Sequence, residues 1–61
     1  MTRKDFELIA RSIYVDRNSR KTPEEKATVD YIAEGLAEQF QAMNPRFDRS
    51  KFLTACGAYE F

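Results

Sequence analysis

The sequence predicts a small all-α domain of three helices, spanning about residues 3–16, 23–43 and 48–56. Apolar residues recur at spacings of three and four, which is the period of one face of a helix. Residues that begin and end helices stand at the borders of these segments, and no stretch shows the alternation typical of a strand. We therefore expect one helical domain over residues 1–61, with a long central helix, a short third helix and a C-terminal tail from residue 57.

The first predicted helix begins after Thr2, which can cap it, with Asp5 at the third helical position. Its apolar residues follow at i, i+3, i+4, i+7 and i+8, the pattern of an amphipathic helix. They are Phe6, Ile9, Ala10, Ile13 and Tyr14. Residues 16–21 contain no apolar residue, so we expect a loop there.

The second predicted helix has a strong start signal at residues 22–25. Thr22 can cap it, Pro23 takes the first helical position, where a missing N–H costs nothing, and Glu25 completes a capping box. One apolar stripe then runs to the end of the helix, and we expect it to face the core. Its members are Val29, Ile32, Ala33, Leu36, Ala37, Phe40 and Met43.

The third predicted helix is bracketed by local signals. Pro45 stops the preceding helix, because it lacks an N–H and restricts the residue before it. Asp48 is a good N-cap, and Phe47 and Phe52 have the spacing of a hydrophobic staple across it. Gly57 follows the last helical residue, where a positive φ favours glycine.

The segment over residues 44–57 also carries a resemblance to a known family. It reads Asn-Pro-Arg-Phe-Asp-Arg-Ser-Lys-Phe-Leu-Thr-Ala-Cys-Gly. It resembles the C-terminal segment of a family of small proteins of tailed bacteriophages and prophages, which commonly end in Asn-Pro-x-Phe-Asp-x-x-x-Phe-Leu-x-Ala-Cys-Gly. Residues 2–10 are similar to the start of those proteins, whereas the middle of the chain differs. The resemblance implies a phage origin and a site in the bacterial cytoplasm, and it transfers no activity.

Composition excludes several classes of function. Ten basic and ten acidic residues give a net charge of zero, so nothing attracts the chain to nucleic acid as a whole. There is no histidine and only one cysteine, so the usual zinc spacings are absent and we expect no metal or cofactor. We see no signal peptide and no apolar run near the roughly 18 residues of a membrane span, so we expect no membrane insertion.

Catalysis is not expected. Cys56 has no histidine to activate it, and its spacing from Phe52 and Leu53 places it on the apolar face of the third helix, which predicts a buried thiol. Carboxylate pairs exist, but so short a chain offers no obvious cleft to shift their pKa values. No catalytic residue is assigned.

Four residues on the outward faces of the helices are candidates for a partner interface. Leu8 and Val15 lie opposite the apolar face of the first helix, and Tyr31 lies opposite that of the second, near Gly35. A glycine inside a helix costs about 1 kcal/mol relative to alanine, and close approach of another backbone would explain it. Isolated exposed apolar residues are also normal. Because so short a chain buries little core, we favour an interface, either in a homodimer or with a host protein.

Asp30, Glu34 and Glu38 form an acidic stripe at successive i+4 positions, where like charges are mildly destabilising. The stripe has two interpretations: a surface that meets a basic partner or mimics a phosphate backbone, or a solvated face that pairs with the first helix. We favour the second interpretation. The basic residues expected to pair with it are Arg3, Lys4 and Arg11.

A small DNA-binding regulator is the alternative function. The second helix, a four-residue turn and the third helix resemble a helix-turn-helix, in which the start of the second helix enters the major groove. The residues that would contact bases or phosphates are Arg46, Arg49 and Lys51 at the third helix, and Arg17, Arg20 and Lys21 in the basic loop. Zero net charge and a short third helix argue against this. The sequence therefore predicts a non-catalytic protein that acts by protein–protein interaction, through self-association or on a host factor.

Overall fold

A computed structural model of the chain contains three α-helices, and the structure describes residues 2–58. Helix α1 spans Arg3–Ser19, α2 spans Pro23–Met43 and α3 spans Arg49–Cys56. The prediction of an all-α domain with a long central helix is confirmed, and residues 2–58 contain no strand. Of the predicted tail, residues 59–61 lie outside the described part of the chain.

Helix α1 continues three residues beyond its predicted end, through part of the segment expected to be a loop. Arg17, one turn after Ile13, points inward and pairs with Asp30 of α2, at 2.7 Å between Nε and Oδ1. On the solvent side, Arg20 pairs with Asp16 at 3.2 Å. The polar residues at this end of α1 are therefore helical because they make ion pairs, which apolar periodicity does not detect.

The N-terminal caps of α1 and α2 follow the predicted residues, with one difference. In α1 the Thr2 N–H donates to Asp5 at 2.9 Å and the Asp5 N–H donates to the Thr2 hydroxyl, which completes a capping box and lowers the pKa of the Asp5 carboxyl. In α2 the Glu25 N–H donates to the Thr22 hydroxyl at 3.2 Å. The Glu25 carboxylate, however, accepts from the N–H of Lys21 rather than from that of Thr22. The capping box predicted for α2 is therefore only half formed.

The start of α3 has the predicted cap and staple. The Asp48 carboxylate accepts a hydrogen bond from the Lys51 N–H at 3.0 Å, so Asp48 caps the helix and lies just outside it. The Phe47 and Phe52 rings flank this cap with centroids 5.5 Å apart. The staple fixes the angle at which the chain enters α3.

The end of α3 is closed by Gly57, which has a φ of +80°. The Gly57 N–H donates to the Thr54 carbonyl and the Ala58 N–H donates to the Leu53 carbonyl, both at 3.0 Å. This is the double hydrogen-bond pattern of a Schellman motif, which requires a left-handed residue at this position.

Replacement of Gly57 by alanine is expected to destabilise the domain by about 1–2 kcal/mol, because a side chain disfavours this backbone conformation. The added methyl would also lie 3.0 Å from Cδ2 of Tyr14, which is shorter than an ordinary van der Waals contact, so the Tyr14 ring would have to shift. Urea denaturation followed by circular dichroism measures the loss. Gly35→Ala is the control, because it makes the same replacement inside α2, where φ is not positive, and equal stability of G57A and the wild type would contradict the prediction.

The three helices pack with α1 antiparallel to α2. Phe6 packs against Phe40 with centroids 4.9 Å apart at one end, and Arg17 pairs with Asp30 towards the other. Helix α3 runs in the same direction as α1, because it starts beside Phe6 and its C-terminal Gly57 lies near Arg17. The 21 residues of α2 span about 32 Å, which accounts for the 33 Å long axis of the molecule.

The core combines small residues where the helices approach closely with aromatic rings at one end. Its buried members are Ala10, Ala33, Ala37, Phe40, Phe52, Leu53 and Cys56. Four phenylalanines form an aromatic cluster, with ring centroids 4.8 to 5.5 Å apart in tilted and edge-on pairs. They are Phe6, Phe40, Phe47 and Phe52. Each such pair adds about 0.5–1.5 kcal/mol beyond the burial of area.

Three residues of the predicted apolar stripes are exposed, which corrects the expectation that they face the core. Tyr14, Ile32 and Met43 are 47%, 59% and 70% exposed. Ile32 and Met43 lie at the edge of the α2 stripe that α3 does not cover. A helical stripe shows which residues are apolar, but it does not show from which side a third helix will dock.

Candidate interaction surfaces

The side of the α1–α2 pair that faces away from α3 carries an open apolar strip. On α2 the strip contains Ile32, Leu36 and Met43, at positions i, i+4 and i+11. On α1 it contains Ile9 and Ile13, at positions i and i+4. At these spacings each set lies along one side of its helix. We call these five residues the open flank. Ile9, Ile13 and Leu36 are partly buried against the core, whereas the other two are mostly exposed. The open flank was not predicted, because its residues were assigned to the core.

One end of the open flank is a cleft of about 390 Å³ between the two helices. Its floor is formed by Ile13, Val29 and Ile32. The polar residues around it are Ser12, Asp16, Arg20, Glu25 and Thr28. These carry charges of both signs, so the cleft has an apolar floor and a mixed polar rim.

The four residues predicted as an interface are exposed but do not form one surface. Leu8, Val15 and Tyr31 are 66%, 61% and 75% exposed. Each pair lies on the side of its own helix that is turned away from the core, so no single face holds all four. A methyl group at Gly35 would have no atom within 4 Å in the part of the chain that the structure describes. Packing within the described chain therefore does not account for this glycine.

The acidic stripe is divided by its ion pairs. Asp30 forms an ion pair with Arg17, and the Asp30 and Arg17 side chains are only 23% and 11% exposed, respectively. Glu38 approaches Arg49 of α3 at 3.9 Å, and both are more exposed. Glu34 makes no ion pair with any described residue. The partners found for the stripe are thus Arg17 and Arg49, instead of the α1 residues Arg3, Lys4 and Arg11.

The basic residues considered for DNA binding lie at two ends of the molecule. Arg20 and Lys21 precede the start of α2, whereas Arg46 follows its end, about 30 Å away for a helix of this length. Arg17 is held by Asp30 and Arg20 pairs with Asp16. The Nε of Arg49 is buried and has no hydrogen-bond partner among the described residues. Arg17 is therefore engaged within the protein, whereas the pair of Arg20 is a surface pair that leaves its side chain accessible.

A second surface joins part of this basic set to α1. A groove of about 410 Å³ lies between the first half of α1 and α3. Three cations, Arg3, Arg46 and Lys51, stand among its lining residues, and we call it the basic groove. Its apolar lining residues are Phe6, Ala10, Phe47, Phe52 and Ala55, and its acidic ones are Glu7 and Asp48. Sequence reasoning missed Arg3 as a member, although its position three residues before Phe6 puts it beside the apolar face of α1.

Cys56 is fully buried, as predicted, and its thiol is kept neutral. Burial, and to a lesser extent the negative charge of Asp30, raise the pKa of the Cys56 thiol to about 11. Only the thiolate is an effective nucleophile. The thiol therefore acts as a small apolar core group at neutral pH.

Over residues 2–58 the structure thus defines a three-helix α-domain that carries an apolar strip, the open flank, and a separate concavity, the basic groove. No protein-family model matches the chain, and no curated protein and no solved structure was found to match it. None of the helices within residues 2–58 is both long and apolar enough to cross a bilayer. Over the same residues, no group of three or more potential metal ligands comes together.

Proposed function

We propose that this chain is a small non-catalytic phage protein of the bacterial cytoplasm that acts by protein–protein interaction, with a second copy of itself as its first partner. The observation that carries the proposal is the open flank. Ile32 is 59% exposed and Met43 is 70% exposed on a two-helix face that α3 leaves uncovered. Exposed apolar residues on an uncovered helix face are typical of interaction sites.

The open flank suits a second copy because it belongs to an antiparallel helix pair. Two such pairs related by a two-fold axis pack as a four-helix arrangement in which the same residues meet from both sides. A standard interface buries about 800 Å² on each partner, roughly a sixth of the 4735 Å² that this chain exposes. The rim charges at Asp16, Arg20 and Glu25 include both signs, so a two-fold arrangement can place unlike charges opposite each other.

Charge introduced into the open flank is expected to abolish self-association. Ile32→Glu places a carboxylate in the middle of the apolar strip, where its desolvation opposes pairing. We expect the wild type to shift from monomer to dimer across micromolar concentrations in sedimentation velocity, and I32E to remain a monomer with unchanged helicity. A wild type that is monomeric throughout the range, or an I32E variant that dimerises like it, would overturn the proposal.

Matched variants separate the open flank from the outward faces. Leu8→Glu makes the same chemical change on the outward face of α1, and we expect it to leave dimerisation intact. Gly35→Ala is expected to stabilise the domain by about 0.5–1 kcal/mol without weakening the dimer, because alanine is the better helix residue and meets no described atom. Loss of the dimer in either variant would place the interface on the outward faces instead. Sedimentation of a monomer with duplex DNA, reversed by added salt, would replace the proposal with the DNA-binding alternative.

A further inference from the structure

We propose that the basic groove binds an acidic amphipathic segment of a protein partner, with an apolar side chain seated between α1 and α3 and carboxylates on the surrounding cations. This site lies apart from the open flank. The proposal deepens the proposed function, because it names the chemistry of a partner other than a second copy. It rests on that function in one respect, which is that the chain acts by binding protein.

The shape of the groove follows from the small residues on its two helices. Ala10 of α1 and Ala55 of α3 leave space between the helices. Phe6 and Phe47, whose half-buried rings pack against each other with centroids 4.8 Å apart, line that space together. The resulting volume of about 410 Å³ is in the range of roughly 300–1,000 Å³ typical of ligand pockets. An open, mainly apolar groove of this size accepts one or two large apolar side chains.

The charges around the groove select an acidic occupant. Arg46 and Lys51 form no ion pair with any described residue, so both are available to a ligand. Arg3 pairs with Glu7 at 3.5 Å, but the two side chains are 80% and 66% exposed, and such surface pairs contribute little. Of the two acidic lining residues, Asp48 already accepts a hydrogen bond as the α3 cap. Glu7 shares this exposed pair, so its charge and that of Arg3 offset each other, and the lining cations without an ion pair to any described residue are Arg46 and Lys51. Arginine binds carboxylates through two parallel hydrogen bonds.

The apolar floor distinguishes a protein segment from a nucleic-acid backbone. Phosphates and sugars present no large apolar group to fill a groove lined by phenylalanine and alanine. An amphipathic helix or extended segment presents apolar anchors and carboxylates on adjacent positions, as in helix-in-groove recognition. The combination of an apolar floor and a cationic rim therefore favours the acidic peptide.

The test uses two fluorescein-labelled twelve-residue peptides with the same leucine and phenylalanine anchors, one with glutamates and the other with lysines at the remaining positions. Fluorescence anisotropy at low salt should show saturable binding of the acidic peptide and none of the basic one. The double variant R46E/K51E should weaken binding at least about tenfold. Backbone amide shifts in a ¹⁵N-labelled sample should change most at residues that line the groove.

Two further variants separate the site from general charge effects. R11E/K21E changes the net charge by the same amount at two residues that do not line the groove. It should leave the affinity within about twofold, because salt screens charges that lie outside the groove from the bound peptide. Ala55→Trp fills the groove without changing any charge and should also block binding, with helicity checked by circular dichroism. Equal loss in R11E/K21E, undiminished binding in A55W, or equal binding of both peptides would overturn the proposal.

Self-association is measured on the same variants without peptide, so that failure of the peptide-binding proposal can be distinguished from failure of the dimer proposal. We expect R46E/K51E to dimerise like the wild type. If it loses dimerisation instead, a second copy occupies the groove and the proposal of a different protein partner is wrong.

Discussion

Replacement of Phe40 by alanine is expected to destabilise the domain by about 3–5 kcal/mol. Phe40 is 7% exposed and stands at the centre of the aromatic cluster, where its ring contacts those of Phe6, Phe47 and Phe52. It is the contact through which α2 joins both other helices. At about 0.05–0.15 kcal/mol per residue, a domain of this length has only about 3–9 kcal/mol of stability, so F40A should remove about a third of it or more.

Urea denaturation followed by far-ultraviolet circular dichroism measures this loss, with the thermal midpoint as a second readout. Tyr31→Ala is the matched control, because Tyr31 is an aromatic residue of α2 outside the open flank that is 75% exposed, and its truncation should change stability by less than about 0.5 kcal/mol. A loss below about 1 kcal/mol in F40A would show that the aromatic cluster does not hold the helices together.

Replacement of Asp30 by alanine is expected to destabilise the domain by about 2 kcal/mol, less than the roughly 3–5 kcal/mol for a fully buried pair because both groups keep some contact with water. Arg17 is 11% exposed, and D30A leaves this guanidinium largely buried without its carboxylate. The pair also joins the last turn of α1 to α2. We therefore expect α1 to fray back towards residue 16 in the variant, which amide hydrogen exchange at residues 17–19 would detect.

Glu34→Ala is the control for D30A, because it removes a carboxylate one turn further along α2 that pairs with no described residue. E34A should stay within about 0.5 kcal/mol of the wild type. A second readout is the thiol of Cys56, whose pKa the Asp30 charge helps to raise. In D30A this pKa should fall, yet stay above its ordinary value, because burial is the larger cause. Equal stability of D30A and E34A would contradict the role assigned to the ion pair.

The two proposed surfaces share no residue, although both use the apolar face of α1. Ile9 and Ile13 contribute to the open flank, whereas Phe6 and Ala10 line the basic groove on the side next to α3. A dimer formed through the open flank would therefore use none of the residues that line the groove. On this arrangement, self-association would present two copies of the same acidic-peptide site, and a partner with two such segments would bind more tightly than one with a single segment.

Much of the secondary structure was determined by short stretches of sequence. The bounds of α2 were predicted correctly because Thr22, Pro23 and Pro45 act on neighbouring backbone groups and need no tertiary context. Helix α3 was predicted to within one residue, since it begins at Arg49 instead of Asp48, and the Asp48 cap, the aromatic staple and Gly57 are all within one short segment. Capping and turn residues satisfy local N–H and C=O groups, so their effect can be read from spacing alone.

The tertiary structure decided which of the remaining residues are buried, paired or brought together. The end of α1 depends on the contact between Arg17 and Asp30, and the exposure of Ile32 depends on the side from which α3 docks. The basic groove unites Arg3 with Lys51, which are far apart in the chain. These features arise from contacts between helices, and local periodicity describes one helix at a time. The sequence alone therefore determined α2, α3 and the residues that cap the helices, whereas packing determined the end of α1 and the surfaces on which the proposed functions rest.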